Sequence, residues 1–431
     1  MNTPGEVVIL NDYASLTGGS TTVASASALG LAAREIDVTF FSSVGPVMPQ
    51  LQDVPHLRVI CLGQKEIGKN RNRLQAFVNG WRNARAMRAL RELLATKSRE
   101  NTIVHAHTWT MALSPFVPQV AVEMGFRLVV TLHDFFITCP NGGFFVHSKS
   151  EICRRVPLSL SCWGCNCDRR NFGHKLWRNA RTLTQNRLLR LPEKVAAYIG
   201  VSAHSLNVMR PYLPPDTPVR VVRNPIDCPQ EEPAAVEENR NFLFIGRFSP
   251  EKGVRLFAQA ARAAGVPAVF IGDGALMPEV RRICPEARFT GWLNQEALRR
   301  ELRSARALVF PPLWYETLGM VVVEAAAAGV PAIISDRCAA TDYIFNNING
   351  LYFAHGSAES LQRQMAALAA DRDLAAQLGR SAYELYWRNP WTAEHHVSEL
   401  LEIYNLILQP AALAAHGGKF DESVSYIRAD G

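Results

Sequence analysis

Arg247 and Lys252 stand five residues apart in FIGRFSPEKG, just after a strand-like run and at the start of a helix-like one. Two cations beside the free amides of a helix amino terminus suit a diphosphate. Loop cations are common, so the pair gains meaning only from its surroundings. Glu316 and Glu324 stand eight residues apart in PPLWYETLGMVVVEAAAAGVP. Glu316 falls in the loop after an apolar strand, where a carboxylate can face a ligand. Glu324 falls in the helix that follows and can reach a second polar group, because an unpaired carboxylate among these apolar residues would be costly. Gly319 allows a ligand to come close at the start of that helix. The amides of Leu318, Gly319 and Met320 could point at phosphate or sugar oxygens.

In the first half, His105, His107, His133 and Asp134 fall at the ends of strand-like runs. Their spacing fits neither His-Glu-x-x-His nor a zinc finger. His133 and Asp134, in TLHDFF, lie where a doubly wound sheet displays side chains to a ligand. Gly18 and Gly19 mark the loop after the first strand, with neither Gly-x-Gly-x-x-Gly nor a P-loop lysine motif. Of nine cysteines, Cys61, Cys228, Cys284 and Cys338 are scattered, and Cys139, Cys153, Cys162, Cys165 and Cys167 lie close together. The odd total argues against a disulfide framework. A structural zinc at the 139–167 cluster, a redox-sensitive pair and a plain thiol-rich loop all stay open.

These residues need elements to position them. VVIL, DVTFFSS, LRVICL, TIVHAHTW, RLVVTLHDF, VAAYIGVS and VRVVRNPI are short apolar runs separated by helix-length intervals. NFLFIGRF, AVFIGDG, ARFTG, ALVFPPL and PAIISD repeat the pattern in the second half. That is the signature of parallel sheets with crossover helices. CPQEEPAAVEENR, polar and proline-bearing, reads as the link between them. The expectation is a domain over 1–225, a linker over 226–240 and a second domain over 241–387. Pro390 should break the terminal helical stretch. A helix over 388–410 then crosses back to the first domain, and 411–431 is a loosely held tail. Two facing domains place the ligand in the cleft between them.

The composition is that of a globular chain: 431 residues, 48% hydrophobic and 20% charged, which excludes wholesale disorder and coiled coil. The net charge of +7 hides two unlike halves. Residues 1–225 hold 27 Lys and Arg against 14 Asp and Glu, and the remainder holds 19 against 25. Residues 65–99 alone hold ten basic residues and two acids. Arg82, Arg85, Arg88 and Arg91 share a helix flank. Trp81, Met87, Leu90, Leu93 and Leu94 add apolar surface, so an amphipathic helix beside an anionic bilayer is one reading. The solvated face of an ordinary packed helix is the other. No zinc-finger or RNA-binding pattern accompanies the charge, so nucleic acid is not an expected partner. The sequence shows neither a basic leader with an apolar stretch nor a run of 18 apolar residues. A cytoplasmic placement is expected, with residence on the inner membrane face left open.

With GRFSPEKG, the Asp273-Gly274 pair, FTGWLNQEAL and Glu316-x7-Glu324 in this order, the chain resembles the retaining glycosyltransferases of family four, with the GT-B fold. Gly18-Gly19, HAH at 105–107, TLHDFF, VSAHS and RNPID extend the resemblance over residues 6–408. TLHDFFITCP followed by cysteines is similar to members that build bacterial surface polysaccharides. The resemblance implies two Rossmann-like domains, with a nucleotide sugar bound to the second. Arg247 and Lys252 would neutralise the leaving diphosphate. Glu316 would face the transferred sugar, and Glu324 the ribose. Leu318 and Gly319 would hold phosphate and sugar through their amides. Gly18 and Gly19 would close on the phosphates, and His133 would sit beside the sugar, with Asp134 as an orienting group. Gly272, Asp273, Gly274 and Trp292 would form the base pocket. UDP is favoured over GDP, the acceptor is lipid-linked or a saccharide, and the chemistry is expected to need no metal. A soluble transferase acting on a small metabolite and a nonenzymatic nucleotide-sugar-binding regulator are the alternatives. The chain departs from the family at Pro225, where glycine is frequent, and in SDRCAATDYI, which lacks the frequent double glycine.

Overall fold

A computed structural model of the chain describes residues 4–409. The tail expected over 411–431 lies outside the described residues.

Thirteen strands form two parallel sheets. The first contains β1 (Glu6–Tyr13), β2 (Asp37–Val44), β3 (Leu57–Cys61), β4 (Thr102–Ala106), β5 (Arg127–Leu132), β6 (Ala197–Gly200) and β7 (Val219–Val221). Their order is β3-β2-β1-β4-β5-β6-β7. The second contains β8 (Asn241–Ile245), β9 (Ala268–Ile271), β10 (Arg288–Gly291), β11 (Ala305–Phe310), β12 (Ala332–Ser335) and β13 (Gly350–Phe353), in the order β10-β9-β8-β11-β12-β13. In both sheets the first strand in sequence lies inside, so the order in which strands are added reverses beside it. That arrangement opens a crevice at the carboxyl ends of the strands.

The helices that bear on the site are α1 (Gly19–Ala32), α2 (Arg73–Trp81), α3 (Ala84–Leu94), α4 (Phe172–Leu183), α5 (Met320–Ala327), α6 (Arg372–Arg388) and α7 (Ala393–Leu408). β1 shows why the first sheet is covered on both faces. Val8 and Leu10 enter one core with Met87, Leu90, Leu93 and Leu94 of α3. Val7 and Ile9 enter another with Ala24, Ala28 and Leu31 of α1. Alternation along a strand sends neighbours to opposite faces, and both faces here are apolar.

The α3 packing corrects one expectation. Met87, Leu90, Leu93 and Leu94 belong to the core and offer no apolar face to a bilayer. Arg85, Arg88 and Arg91 on its outer flank are exposed, with Arg91 bonded to Glu123 at 3.0 Å, whereas Arg82 lies in extended backbone between α2 and α3, over the Phe116 ring, and so does not share that flank. No helix among the described residues is long and apolar enough to cross a membrane.

The terminal helices break where proline dictates. α6 ends at Arg388, and Thr392 caps α7 by accepting from the amide of His395 at 3.2 Å. α7 then packs on α1 of the first domain, burying Val397, Leu400, Tyr404 and Ile407. His396 ties it at both ring nitrogens, at 2.8 Å to the Ser27 hydroxyl and 2.8 Å to the Arg223 carbonyl. Leu400 has no exposed surface. Leu400→Ala should therefore cost about 3 kcal/mol of unfolding free energy. A urea titration that leaves the midpoint unchanged would show that α7 contributes no core.

Candidate active site

The cleft between the sheets holds a cavity of about 1550 Å³ lined from both domains. On the second-domain side, the loop after β8 brings Arg247 and Lys252, and the loop after β11 brings Glu316. The two loops press together at Gly253, where a Cβ would fall 1.8 Å from the Pro311 carbonyl oxygen. Gly253 also has φ +70°, so glycine is required twice over. The Leu313 amide donates to the Glu251 carbonyl at 2.9 Å and zips the loops together. As a result, the Lys252 ammonium lies 2.5 Å from the Glu316 carboxylate. Trp314 adds an indole N–H to the same carboxylate oxygen at 3.1 Å, and its ring lies under the Lys252 ammonium.

α5 opens into the same cavity. Gly319, at φ +84°, is its N-cap, and a Cβ there would meet the Phe310 ring at 2.7 Å. Val322 donates to the Gly319 carbonyl at 2.9 Å, and Met320 and Val321, at the start of the helix, line a cavity that already carries two cations.

From the first domain come Gly18 and Gly19 at the start of α1, and His133 and Asp134 just after β5. A Cβ on Gly19 would lie 3.3 Å from the Met320 sulfur, so the starts of α1 and α5 face each other closely. Thr317 donates to the His133 carbonyl at 3.1 Å, and Ser202 to the Thr317 carbonyl at 2.6 Å, joining the domains across the cleft. His133 Nε2 meets His107 Nδ1 at 2.9 Å. Burial pushes His133 down to about 3, with the nearby His396 adding to the shift, so the ring is neutral at physiological pH.

The structure thus brings together Arg247, Lys252, Glu316, Leu318, Gly319, Gly18, Gly19, His133 and Asp134. It sets the other expected residues outside this cavity. Glu324 lines a second cavity of about 580 Å³ with Cys228, Pro229, Leu298 and Arg299. Burial raises its carboxyl, and Arg299 partly offsets the rise. Gly272, Asp273 and Gly274 follow β9, and Gly272 donates to the Gly291 carbonyl at 2.9 Å, next to the exposed Trp292. The residues expected to form a base pocket are thereby neighbours, beside the cavity rather than in its wall.

The comparisons with known proteins fit this geometry. The family model described as Glycosyltransferase Family 4 matches residues 17–230, and Glycosyl transferases group 1 matches residues 229–385. O-antigen chain mannosyltransferase C of Escherichia coli is 27% identical over 175 residues, which are 39% of this chain and 47% of that one. A GDP-mannose-dependent alpha-mannosyltransferase of Corynebacterium glutamicum is 34% identical over 108 residues, 25% of this chain and 26% of that one. The aligned segments thus span about half the length of these curated relatives or less. The structure of Anabaena HepE in complex with UDP and glucose superposes with a TM-score of 0.63 at 14% identity, covering 93% of this chain and 99% of that one. That likeness speaks for the fold alone. The chain is a GT-B-fold relative of bacterial polysaccharide glycosyltransferases.

Two functional residues of this GT-B chain escape the sequence reading. Trp314 holds Glu316 and Lys252 together, and its only sequence signal is its place two residues before Glu316. Asp12, fully buried, accepts the amides of Met111, Ala112 and Leu113 at 2.8–2.9 Å and so shapes the cleft wall at Met111. Its position at the carboxyl end of β1 is the signal that could have found it.

The cysteine cluster resolves against a structural zinc. The Lys175 ammonium, with no exposed surface, lies 3.4 Å from the Cys162 sulfur, with Cys139 and Cys167 also near it. A cation of the protein itself thus occupies the space among the thiols. Cys153 instead accepts from Arg155 at 3.8 Å. All nine cysteines are free, and among the described residues no three ligating side chains converge to hold a metal.

Asp134 yields a pH prediction. Burial raises its carboxyl to about 6, and the Phe136 amide, donating at 2.9 Å, pulls it partly back. A raised carboxyl costs nothing below its unfolded value of about 4, and its penalty grows as pH rises through the folded value. Asp134→Asn keeps an acceptor for Phe136. It should gain on the order of 2 kcal/mol at about pH 7 and nothing near pH 4. Thermal denaturation at both pH values checks this, and an equal gain at both would contradict it.

Proposed function

We propose that the chain is a retaining glycosyltransferase. It moves a sugar from a nucleoside-diphosphate donor to a hydroxyl of a lipid-linked or saccharide acceptor in polysaccharide or glycolipid assembly. The observation that carries this reading is the convergence of Arg247, Lys252 and Glu316 with the start of α5 on one cavity. Cations and helix amides suit a diphosphate, and a carboxylate beside them suits the hydroxyls of a sugar.

Chemistry follows from that placement. The bond from the anomeric carbon to the diphosphate oxygen breaks, and its electron pair stays on the phosphate. Arg247 and Lys252 offset the charge that develops there. The acceptor hydroxyl attacks the oxocarbenium-like carbon from the face the phosphate leaves, and its proton passes to the departing phosphate oxygen. Configuration is retained without a carboxylate nucleophile. Neutral His133 is suited to hydrogen bonding with a sugar hydroxyl and not to proton removal. Glu316 holds the sugar, so catalysis rests on positioning and electrostatics.

We infer a UDP-sugar ahead of a GDP-sugar as donor, and action at the cytoplasmic face of a membrane. The positive balance of the first domain supports an anionic acceptor. Purified protein supplied with UDP-glucose, UDP-N-acetylglucosamine or GDP-mannose should turn over one of them, with retained anomeric configuration by NMR. Lys252→Ala and Glu316→Gln should each lower kcat/KM by about 100-fold or more in protein that a urea titration shows to be folded. Near-normal turnover in both variants, or an inverted product, would defeat the assignment.

A further inference from the structure

Lys175 is a buried cation that the transfer reaction does not use. It lies on the inner face of α4 and has no exposed surface. Its ammonium lies 3.4 Å from the Cys162 sulfur, and the thiols of Cys167 and Cys139 are the other groups that act most strongly on it. None of these is a carboxylate. Asp168, the nearest acid in sequence, is held by Arg178 and His174 at 3.3 and 2.9 Å. A buried ammonium without a partner of opposite charge is costly. The cost is relieved when the amine and thiol together give up one proton. Loss from the thiol leaves a thiolate, and loss from the ammonium leaves a free amine. Each is a nucleophile, and each has the other group in contact with it.

The fold assembles this pair from two segments and keeps it just beneath the surface. Cys162 lies on a one-turn helix, Leu160–Trp163, capped by the Ser159 hydroxyl, which accepts from the Cys162 amide at 3.2 Å. Leu160 of that turn is 92% exposed, and Cys165 just after it is half-exposed. The Asn141 side chain anchors the following loop by donating to the Cys167 carbonyl at 2.8 Å. Burial raises the Cys139 thiol and pushes Cys167 up to about 12, so neither supplies a thiolate to compete with Lys175 for an oxidised Cys162. Cys153 and Cys165 sit instead beside Arg155.

We propose that Cys162 and Lys175 form a peroxide-responsive modification site that closes to a covalent sulfur–nitrogen cross-link. The Cys162 thiolate attacks one oxygen of hydrogen peroxide. A sulfur–oxygen bond forms, the oxygen–oxygen bond breaks, and the released hydroxide takes a proton from the Lys175 ammonium to give water. The Lys175 amine then attacks the sulfenic sulfur. A nitrogen–sulfur bond forms, the sulfur–oxygen bond breaks, and the departing hydroxide takes a proton from the nitrogen to give a second water. Sulfur loses two electrons, and the peroxide gains them. The resulting sulfenamide ties the 160–167 turn to α4, and a thiol reductant opens it again. It would brace the segment 139–167, whose Gly143 packs on the cleft residue Trp314, with a Cβ there only 3.1 Å from the ring. The site stands independently of the transfer reading.

The test is tryptic mass mapping of the full chain after treatment with hydrogen peroxide at neutral pH, without reductant. The peptide containing Cys162 should appear joined to the one containing Lys175, uncleaved after Lys175, at about 2 Da below their summed mass. Dithiothreitol should release both. Chain unfolded in urea should give at least tenfold less of the joined species, because only the fold brings the two groups into contact. Cys162→Ser and Lys175→Met should each abolish it, and Cys165→Ser should leave it in place. Absence of the joined species from the folded wild-type chain overturns the proposal. So does a disulfide from Cys162 to another cysteine in its place, or oxidation of Cys162 to the sulfinic acid with Lys175 free. Equal yields from folded and unfolded chain, or a link that survives in Cys162→Ser, also overturn it. The wild-type map and its urea control decide the matter even where a variant fails to fold.

Discussion

An ammonium and a carboxylate, 64 residues apart in sequence and 2.5 Å apart in space, fix the floor of the cleft. Without Lys252, the Glu316 carboxylate would be an uncompensated negative charge where the proposed diphosphate would come to rest. Without Glu316, Lys252 would be a mobile cation on a long stem. Their pairing sets one charge against the other and holds both side chains in place. Trp314 stiffens the arrangement by serving both partners, as donor to Glu316 and as ring beneath Lys252. Gly253 makes it feasible, because any side chain there would separate the two loops. On the proposed reading, a diphosphate that draws on Lys252 would free the Glu316 carboxylate for a sugar hydroxyl, and the pair would link recognition of the two halves of one donor.

The first domain positions its contribution by a different device. His105 bonds Tyr404 of α7 at 2.7 Å and Thr131 at 2.7 Å, and its ring lies 4.3 Å from that of His107. His107 in turn bonds His133. All three rings are buried enough to stay neutral, which lets them stand together without repulsion. A helix from the end of the described chain thus supports a residue in the cleft through two intermediates. Asp12 does the same for the turn at Met111 in the cleft wall.

Much of this was legible in the sequence because parallel strands buried on both faces are continuous apolar runs. Twelve of the thirteen sheet strands answer to such runs, and the helix break at Pro390 follows from the missing amide of proline. GLYF, the remaining strand, is four residues long and begins with glycine, so it carries little signal. The expected catalytic residues converge because each lies in a loop that leaves the carboxyl end of a strand. Glu324 is harder to place from sequence, since a helix residue's direction depends on which face packs, and here that face adjoins the linker and Arg299. The basic stretch over 65–99 left two readings open for a related reason. An apolar stripe on a helix says that it is covered, not by what, and the stripe on α3 is covered by the sheet.

The central claim is that the cleft recognises a diphosphate through Arg247 and Lys252. Calorimetric titration of the wild-type chain and of Arg247→Ala with Lys252→Ala against UDP, UMP, GDP and GMP tests it most directly. The account predicts that at least one nucleoside diphosphate binds tenfold or more tightly than its monophosphate, and that the double variant abolishes this difference. Equal affinities for diphosphate and monophosphate in the wild-type chain, or a preference that survives in the double variant, would contradict it.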